Sequence, residues 1–306
     1  MLDRASTFAK PETVELLKTK FVPVALDQAY QRRQKDDEGD FYRKIAAQGP
    51  RDLNQTTQGF YLATSRGDLL LYNNNRDPEK ILRLMKEKLT EFASLPSEQQ
   101  SASPIYLDKP DARYNPSPPD GGLVIRVRAK ILSGYKETSD PMRKIFQSAL
   151  SRDNLWISKT EHQSIISSVL PDSVVKRIAR FHLVDNTRGE PPMWANDEIR
   201  NVKVELNDGI LTGKVELQNK SGDRGYVASL RGVVESNGRQ VTRFDVVCSG
   251  EFWGNGPYTK NPPEGKFPLA ISFSLADNSD IADKVPPQGS RGWSKVTWSL
   301  SRFRFA

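Results

Sequence analysis

A proline-rich segment divides this chain. Six prolines lie between residues 95 and 121, and Gly121 is followed by Gly122. Proline fixes φ and removes a backbone N–H donor, so neither a helix interior nor a central strand tolerates this density. The 306 residues suffice for two domains that each bury a core. The sequence therefore predicts domains over residues 1–94 and 122–306, joined by a linker over residues 95–121.

Residues 1–94 alternate helix-like and strand-like patterns. Pro11 suits the first position of a helix, and Ser65-Arg66-Gly67 separates two strand-like runs as a hairpin turn does. The helix that Asp77-Pro78 opens has core-facing apolar spacing at Ile81, Leu82, Met85, Leu89 and Phe92. In chain order the pattern predicts a helix over 11–20, a buried strand over 22–26, a helix over 41–48, a hairpin of 59–64 with 68–72, and a helix from 77 onward.

Residues 122–306 read as an antiparallel sheet with inserted helices. Residues 123–132 alternate apolar side chains with Arg126, Arg128 and Lys130, which predicts one buried and one exposed face. From Ile199 onward, turns of Asn-Asp-Gly, Ser-Gly-Asp and Ser-Asn-Gly type separate strand-like runs. Helices are predicted over 140–151, 159–169 and 171–181, and late strands over 267–275 and 296–305. The fold class predicted for the chain is α+β.

Composition and charge exclude several classes of protein. Hydrophobic residues at 37% and charged residues at 27% are typical of a globular chain. No apolar run approaches the roughly 20 residues that span a bilayer, and the N-terminus has no apolar signal core, so we expect no membrane association and, by default, a cytoplasmic location. The net charge of +7 is spread over interleaved charges without a basic and aromatic stripe. We therefore expect no nucleic-acid partner.

Cysteine and histidine are too few for several kinds of site. Cys248 is the one cysteine and lies in a strand-like run, which predicts a buried, inert thiol and excludes a disulfide framework. The two histidines differ in setting: His162 is predicted to be solvated on a helix, and His182 lies in a polar loop. We expect no metal site and no cofactor, since the known nucleotide, zinc and serine-nucleophile motifs are also missing. Whether the chain is an enzyme stays open at this level.

The N-terminal motifs resemble a known family. They are Leu2-Asp3 with Thr7-Phe8, then Pro11-Glu12-Thr13-Val14, then Phe21-Val22-Pro23-Val24-Ala25-Leu26-Asp27. The series resembles a thioredoxin-like domain just after its redox motif, in a sub-family where C-x-x-C, or a selenocysteine variant, precedes L-D-x-x-T-F, P-E-V and F-V-P-V-x-L-D. The resemblance covers about residues 1–94 and implies a truncated thioredoxin-like α/β domain. Neither of the two thiols that the chemistry requires is present, and Gln58 stands where the family usually has a cis-proline.

The resemblance also implies that the middle strand of the domain is missing. We expect the natural protein to start upstream of Met1 and to carry the redox motif there. In a chain that starts at Met1, strands 22–26 and 59–64 would have unpaired edges. A strand from the linker, a second copy of the chain, or direct pairing of the two strands would satisfy those edges, so an oligomer is one expectation.

Three tryptophan-containing loops of the C-terminal domain hold the candidate binding residues. The loop 181–194 combines charged and aromatic side chains that suit acid/base chemistry or ligand binding, although a long connection pinned by its own hydrogen bonds has the same composition. The loops 250–258 and 285–293 set tryptophan among glycine and proline, as a platform for sugar rings, peptides or a partner domain does; alternatively, these indoles cover the ends of the sheet. The candidates are His182, Asp185, Arg188, Trp194, Trp253, Arg291 and Trp293.

Two hypotheses of function remain. In the first, the chain is of thioredoxin lineage, and thiol or selenol redox activity belongs to a longer form that carries the missing motif. In the second, the chain is a non-enzymatic binding protein: the thiol-free domain is a scaffold, and the C-terminal domain binds a protein or small-molecule ligand. The second hypothesis requires the tryptophans and arginines of the three loops to converge on one surface.

Overall fold

The computed structural model describes residues 7–75, 77–101, 117–259, 261–277 and 279–287. The described residues up to Ser101 belong to one compact unit, and those from Ser117 onward belong to a second. The predicted strand over residues 296–305 lies outside the described ranges, as do Arg291 and Trp293.

The N-terminal unit consists of short helices and one hairpin. Its helices are α1 (Pro11–Lys20), α2 (Gln28–Gln31), α3 (Asp37–Ala47), α4 (Pro78–Ser94) and α5 (Ser97–Gln100), and its strands are β1 (Phe60–Ala63) and β2 (Leu69–Asn73). The carboxylate of Asp36 accepts the Gly39 N–H at the start of α3, and Asp77 accepts the N–H groups of Glu79 and Lys80 at the start of α4. These caps satisfy donors that a helix leaves free at its N-terminus. The predicted helices and the hairpin are confirmed.

The core of this unit lies between the hairpin and α4. Leu62 of β1 and Ile81 and Met85 of α4 are buried against each other, and the partly buried Leu17 and Phe21 pack around them. The apolar stripe predicted for α4 is confirmed in its first half. Its second half is less covered, since Leu89 and Phe92 are only half-buried.

The strand predicted over residues 22–26 is wrong. These residues form a loop in which Val22 is 90% exposed and Val24 is 72% exposed. In the described part of this unit, β1 and β2 pair only with each other, and no strand lies beside the loop. A strand needs a neighbour to satisfy its backbone groups and to cover its side chains. The direct pairing of residues 22–26 with β1 is therefore also not observed.

The C-terminal unit is built on an antiparallel sheet that curls around its helices. Its described strands are β3 (Leu123–Ile131), β4 (Asp153–Ile157), β5 (Ile199–Asn207), β6 (Ile210–Gln218), β7 (Gly225–Ser236), β8 (Val241–Trp253) and β9 (Lys266–Leu275). Their order across the sheet is β4-β3-β9-β8-β7-β6-β5. With the helices of both units, this sheet confirms the α+β class. β4 was not predicted from the sequence.

The helices described in this unit are α6 (Pro141–Ser148), α7 (Lys159–Ile166) and α8 (Asp172–Arg177), and α8 continues into one π-helical turn, Ile178–His182. Two of these three helices, α7 and α8, pack against the core on the inner side of the sheet. The π-helical turn contacts both β4 and β5, the two edges of the described sheet. The inner side chains of the strands meet Ile165, Val174 and Ile178 in one continuous core. No helix among the described residues is long and apolar enough to cross a membrane.

Candidate functional site

The loop that follows the π-helical turn is a buried polar segment. Asp185 and Arg188 are at most 4% exposed. Arg188 Nε donates to Asp185 Oδ2 at 2.5 Å, and its two Nη atoms donate to the carbonyls of Thr259 and Gly254 at 2.9 and 3.1 Å. The Thr187 hydroxyl donates to Asp185 Oδ1 at 2.6 Å. A buried ion pair with these additional bonds fixes the loop against residues 254–259.

His182 and Trp194 are also buried. His182 Nδ1 lies 2.9 Å from Asp153 Oδ2 on β4. Trp194 has no exposed surface; its Nε1–H donates to the Leu183 carbonyl at 2.7 Å, and the Arg224 guanidinium carbon lies 3.9 Å from the ring centroid. A fully buried indole offers no face to a ligand. The geometry of the loop is that of a connection pinned by its own hydrogen bonds.

Among the predicted site residues that lie in the described ranges, Trp253 is the one that retains exposed surface. It ends β8 and is half-buried at the edge of an open cleft of about 460 Å³. The cleft is lined by Asp223, Trp253, Gly254, Pro262, Pro263, Glu264, Gly265 and Lys266. Most of these residues belong to the connection between β8 and β9, and Asp223 comes from the turn before β7. Trp194 and Arg188 do not reach this surface, so the predicted convergence of these residues on one surface is not observed within the described ranges.

The position of the Trp253 ring follows from its neighbours across the sheet. Gly225 and Lys266 are its partners on β7 and β9. A Cβ on Gly225 would lie 2.1 Å from Cζ2 of the indole, so the ring occupies space that only glycine leaves open. The indole N–H donates to the Gly222 carbonyl at 2.9 Å, and Lys266 Nζ lies 4.8 Å from the ring centroid. The ring is thus held in place while its cleft side stays accessible.

The rim of the cleft carries carboxylates. Asp223 is exposed, and hydrogen bonds from the side chains of Asn219 and Ser221 lower the pKa of its carboxyl group. Glu264 also lines the cleft and accepts from Lys136 Nζ at 2.6 Å, in a pair whose side chains are 78% and 81% exposed. The cleft therefore combines an aromatic ring and two prolines with the carboxylates of Asp223 and Glu264 and the ammonium group of Lys266. Such a surface suits an apolar ring beside a cationic group.

The predicted loop 250–258 contains Trp253 and Gly254 of the cleft, but the other lining residues were not predicted. Pro262 and Pro263 lie nine and ten residues beyond Trp253, between the predicted loop 250–258 and the predicted strand 267–275. The signal was present, because a hairpin connection returns to the strand end from which it starts. Residues on both sides of a β8–β9 loop must therefore lie together.

Cys248 and His162 have structural surroundings. Burial raises the pKa of the Cys248 thiol to about 12, which confirms the prediction of a buried, unreactive thiol. The prediction that His162 is solvated is wrong: the side chain is buried, its Nδ1 lies 3.0 Å from the Gly121 carbonyl, and its Nε2 accepts the Val241 N–H at 3.2 Å. No group of three or more His, Cys, Asp or Glu in the described ranges could hold a metal ion.

Comparison with known proteins adds no assignment to this geometry: no protein-family model, no curated protein and no solved structure matches the chain.

Proposed function

We propose that the C-terminal unit is a non-enzymatic binding module whose ligand occupies the Trp253 cleft. The observation that carries this proposal is the half-buried Trp253 ring, held by the Gly222 carbonyl at the edge of an open cleft of about 460 Å³. Clefts of about 300–1,000 Å³ with an aromatic wall are typical of ligand sites. The only thiol is buried, which argues against cysteine chemistry by the residues of this chain.

The lining favours a peptide over a sugar. Pro262 and Pro263 add apolar surface to a cleft that also holds the Trp253 ring, and proline-rich segments dock in aromatic-lined grooves because their extended conformation costs little entropy to fix. The carboxylates of Asp223 and Glu264 then suit a lysine or arginine next to the proline. We therefore propose a short peptide segment, from a partner protein, that carries proline beside a basic residue.

Binding of the full chain to a panel of such peptides, measured by calorimetry, tests the proposal. Trp253→Ala should weaken binding by about tenfold or more, as removal of an aromatic anchor does. Tyr258→Ala is the matched control, since Tyr258 is 73% exposed in the same connection but does not line the cleft. Glu264→Lys, at a solvated position, should weaken only peptides with a basic residue. The proposal is rejected if no peptide binds, or if the Trp253 variant binds like the wild type.

We also propose that the N-terminal unit is of thioredoxin lineage. Its support is the chain order of α1, the loop 22–26, α3, the β1–β2 hairpin and α4, the shared core of α1, the hairpin and α4, and the motifs between Leu2 and Asp27. The exposed Val22 and Val24 side chains are what a loop would show if a further strand normally covered it. Redox activity would then belong to a form with a C-x-x-C or selenocysteine motif.

The coding sequence upstream of Met1 tests this second proposal. An in-frame C-x-x-C or selenocysteine codon within about ten codons of Met1 is expected, since the motif precedes L-D-x-x-T-F closely. The longer protein should then reduce an insulin disulfide, and the 306-residue chain should not. Absence of such a motif upstream rejects the redox assignment.

A further inference from the structure

The edge strand β5 directs three pairs of backbone groups away from the sheet. The Val234 N–H donates to the Gly209 carbonyl at 2.8 Å, so the odd-numbered residues of β6 bond to β7 and its even-numbered residues bond to β5. By the same alternation, Lys203 and Glu205 of β5 bond to β6. The N–H and C=O groups of Val202, Val204 and Leu206 must therefore point outward.

The two edges of the described sheet differ in how they are closed. On β4, the Asn154 N–H bonds to the Asp153 carboxylate at 2.8 Å, and the Trp156 carbonyl accepts from Arg177 at 3.1 Å. On β5, the outward N–H and C=O groups of residues 202, 204 and 206 have no hydrogen-bond partner among the described residues. An open row of this kind is a template for another strand.

We propose that β5 pairs with β5 of a second copy of this chain, antiparallel, with Val204 opposite Val204 on the two-fold axis. In this register Val202 lies opposite Leu206 of the second copy, and the three outward residues exchange six N–H···O bonds. The side chains of Val202, Val204 and Leu206 lie on the core side and are half-buried against the core. A second strand would cover their open flank and continue the core.

Charge complementarity selects this register. On the solvent face, Lys203 of each copy lies opposite Glu205 of the other, which gives two ion pairs in the closely spaced, non-hydrogen-bonded positions. Shifting the register between the two copies by two residues in one direction would set Lys203 opposite Lys203. The same shift in the other direction would set Glu205 opposite Glu205. In the described part of a single chain neither side chain has an ion-pair partner, and Lys203 lies opposite Lys214 of β6. A carboxylate from the second copy would offset that like-charge pair.

Sedimentation equilibrium of the full chain, with variants of the solvent-face charges, tests the proposal. An interface of one strand pair is small and binds weakly, so the measurement uses a high concentration of about 100 µM chain. At that concentration we expect a mass of twice 34.5 kDa. Lys203→Glu should raise the dimer dissociation constant by about tenfold or more, since it replaces two attractive pairs by two repulsive ones. The double variant Lys203→Glu with Glu205→Lys should restore dimerisation, because the exchanged charges again face each other.

Two further variants keep the result specific. Lys130→Glu makes the same charge change at an exposed position of β3 and should leave the dimer intact. Val204→Pro removes the N–H of the central pair and should abolish the dimer, while circular dichroism confirms that the variant is folded. A monomeric wild type overturns the proposal. A dimer that Lys203→Glu leaves unchanged, or that the double variant fails to restore, overturns the site or the register.

Discussion

Neutralising Glu161 should destabilise the C-terminal unit, because this carboxylate is the hub of a buried cluster. Its Oε2 accepts the Ser158 N–H at 2.9 Å and closes the capping box at the start of α7. Its Oε1 accepts the Ser173 hydroxyl at 2.6 Å, and Arg177 donates to both oxygens at 2.8 Å. The side chains of Glu161 and Arg177 are 4% and 11% exposed. One residue thus ties α7 to α8.

The expected cost of Glu161→Gln is about 3 kcal/mol. Removing one partner of a buried ion pair costs about 3–5 kcal/mol because the other charge stays buried, and glutamine retains an acceptor for the cap, which places the cost at the low end. Adding Arg177→Met removes the uncompensated charge. The double variant should therefore lose less free energy of unfolding than the sum of the losses of the two single variants.

The assay is urea unfolding followed by tryptophan fluorescence at several pH values. All five tryptophans lie beyond residue 122, so the signal reports on the C-terminal unit alone. Burial raises the pKa of the Glu161 carboxyl group, but the Arg177 guanidinium and the Ser173 and Ser158 donors outweigh it and hold the pKa below its ordinary 4.5. The stabilisation is therefore present above pH 4.5 and is lost as the pH falls through the lowered pKa.

The difference in the free energy of unfolding between wild type and Glu161→Gln should accordingly be full at pH 7 and shrink below pH 4.5. A difference below about 1 kcal/mol at pH 7, or one that does not change down to pH 3, would refute the reasoning.

Three other outcomes are expected. Cys248 should not react with a disulfide reagent at pH 8 in the native protein and should react fully in urea, because burial raises the pKa of its thiol to about 12; labelling of the native protein would contradict this. Gly225→Ala should destabilise the C-terminal unit by about 1–3 kcal/mol in the fluorescence assay, and by less when Trp253 is also alanine, because the new Cβ meets the indole. Val24→Asp should change the free energy of unfolding, measured by circular dichroism, by less than about 0.5 kcal/mol. A large loss would show that residues 22–26 form a buried strand.

Much of the C-terminal sheet and the starts of several helices follow from local sequence. Asp36, Asp77 and Ser158 cap the helices that follow them through their own side chains, within three residues of the cap. The turn at Asp208 and Gly209 has positive φ at both residues, a conformation that the Asn-Asp-Gly sequence favours. In β8, Phe244, Val246 and Cys248 are buried on the core side, as the alternation of apolar and polar residues predicts. Each of these features depends on residues that are neighbours in the chain.

Other parts were decided by residues far apart in the chain. The apolar residues 22–26 have the composition of a strand and lack the neighbour that would make them one, whereas Asp153–Ile157 begins with two poor strand formers and becomes β4 because β3 supplies its hydrogen bonds.

The candidate site depended on the tertiary structure in the same way. Arg188 and Trp194 were predicted to bind a ligand, but both are buried. Arg188 donates to the carbonyls of Thr259 and Gly254. Trp194 donates to the Leu183 carbonyl and lies against the Arg224 guanidinium. Sequence periodicity records which side of an element an apolar residue prefers. It does not record which distant backbone group or charge will contact a polar side chain. Those contacts buried Arg188 and Trp194 in structural roles, whereas Trp253 kept exposed surface at the cleft.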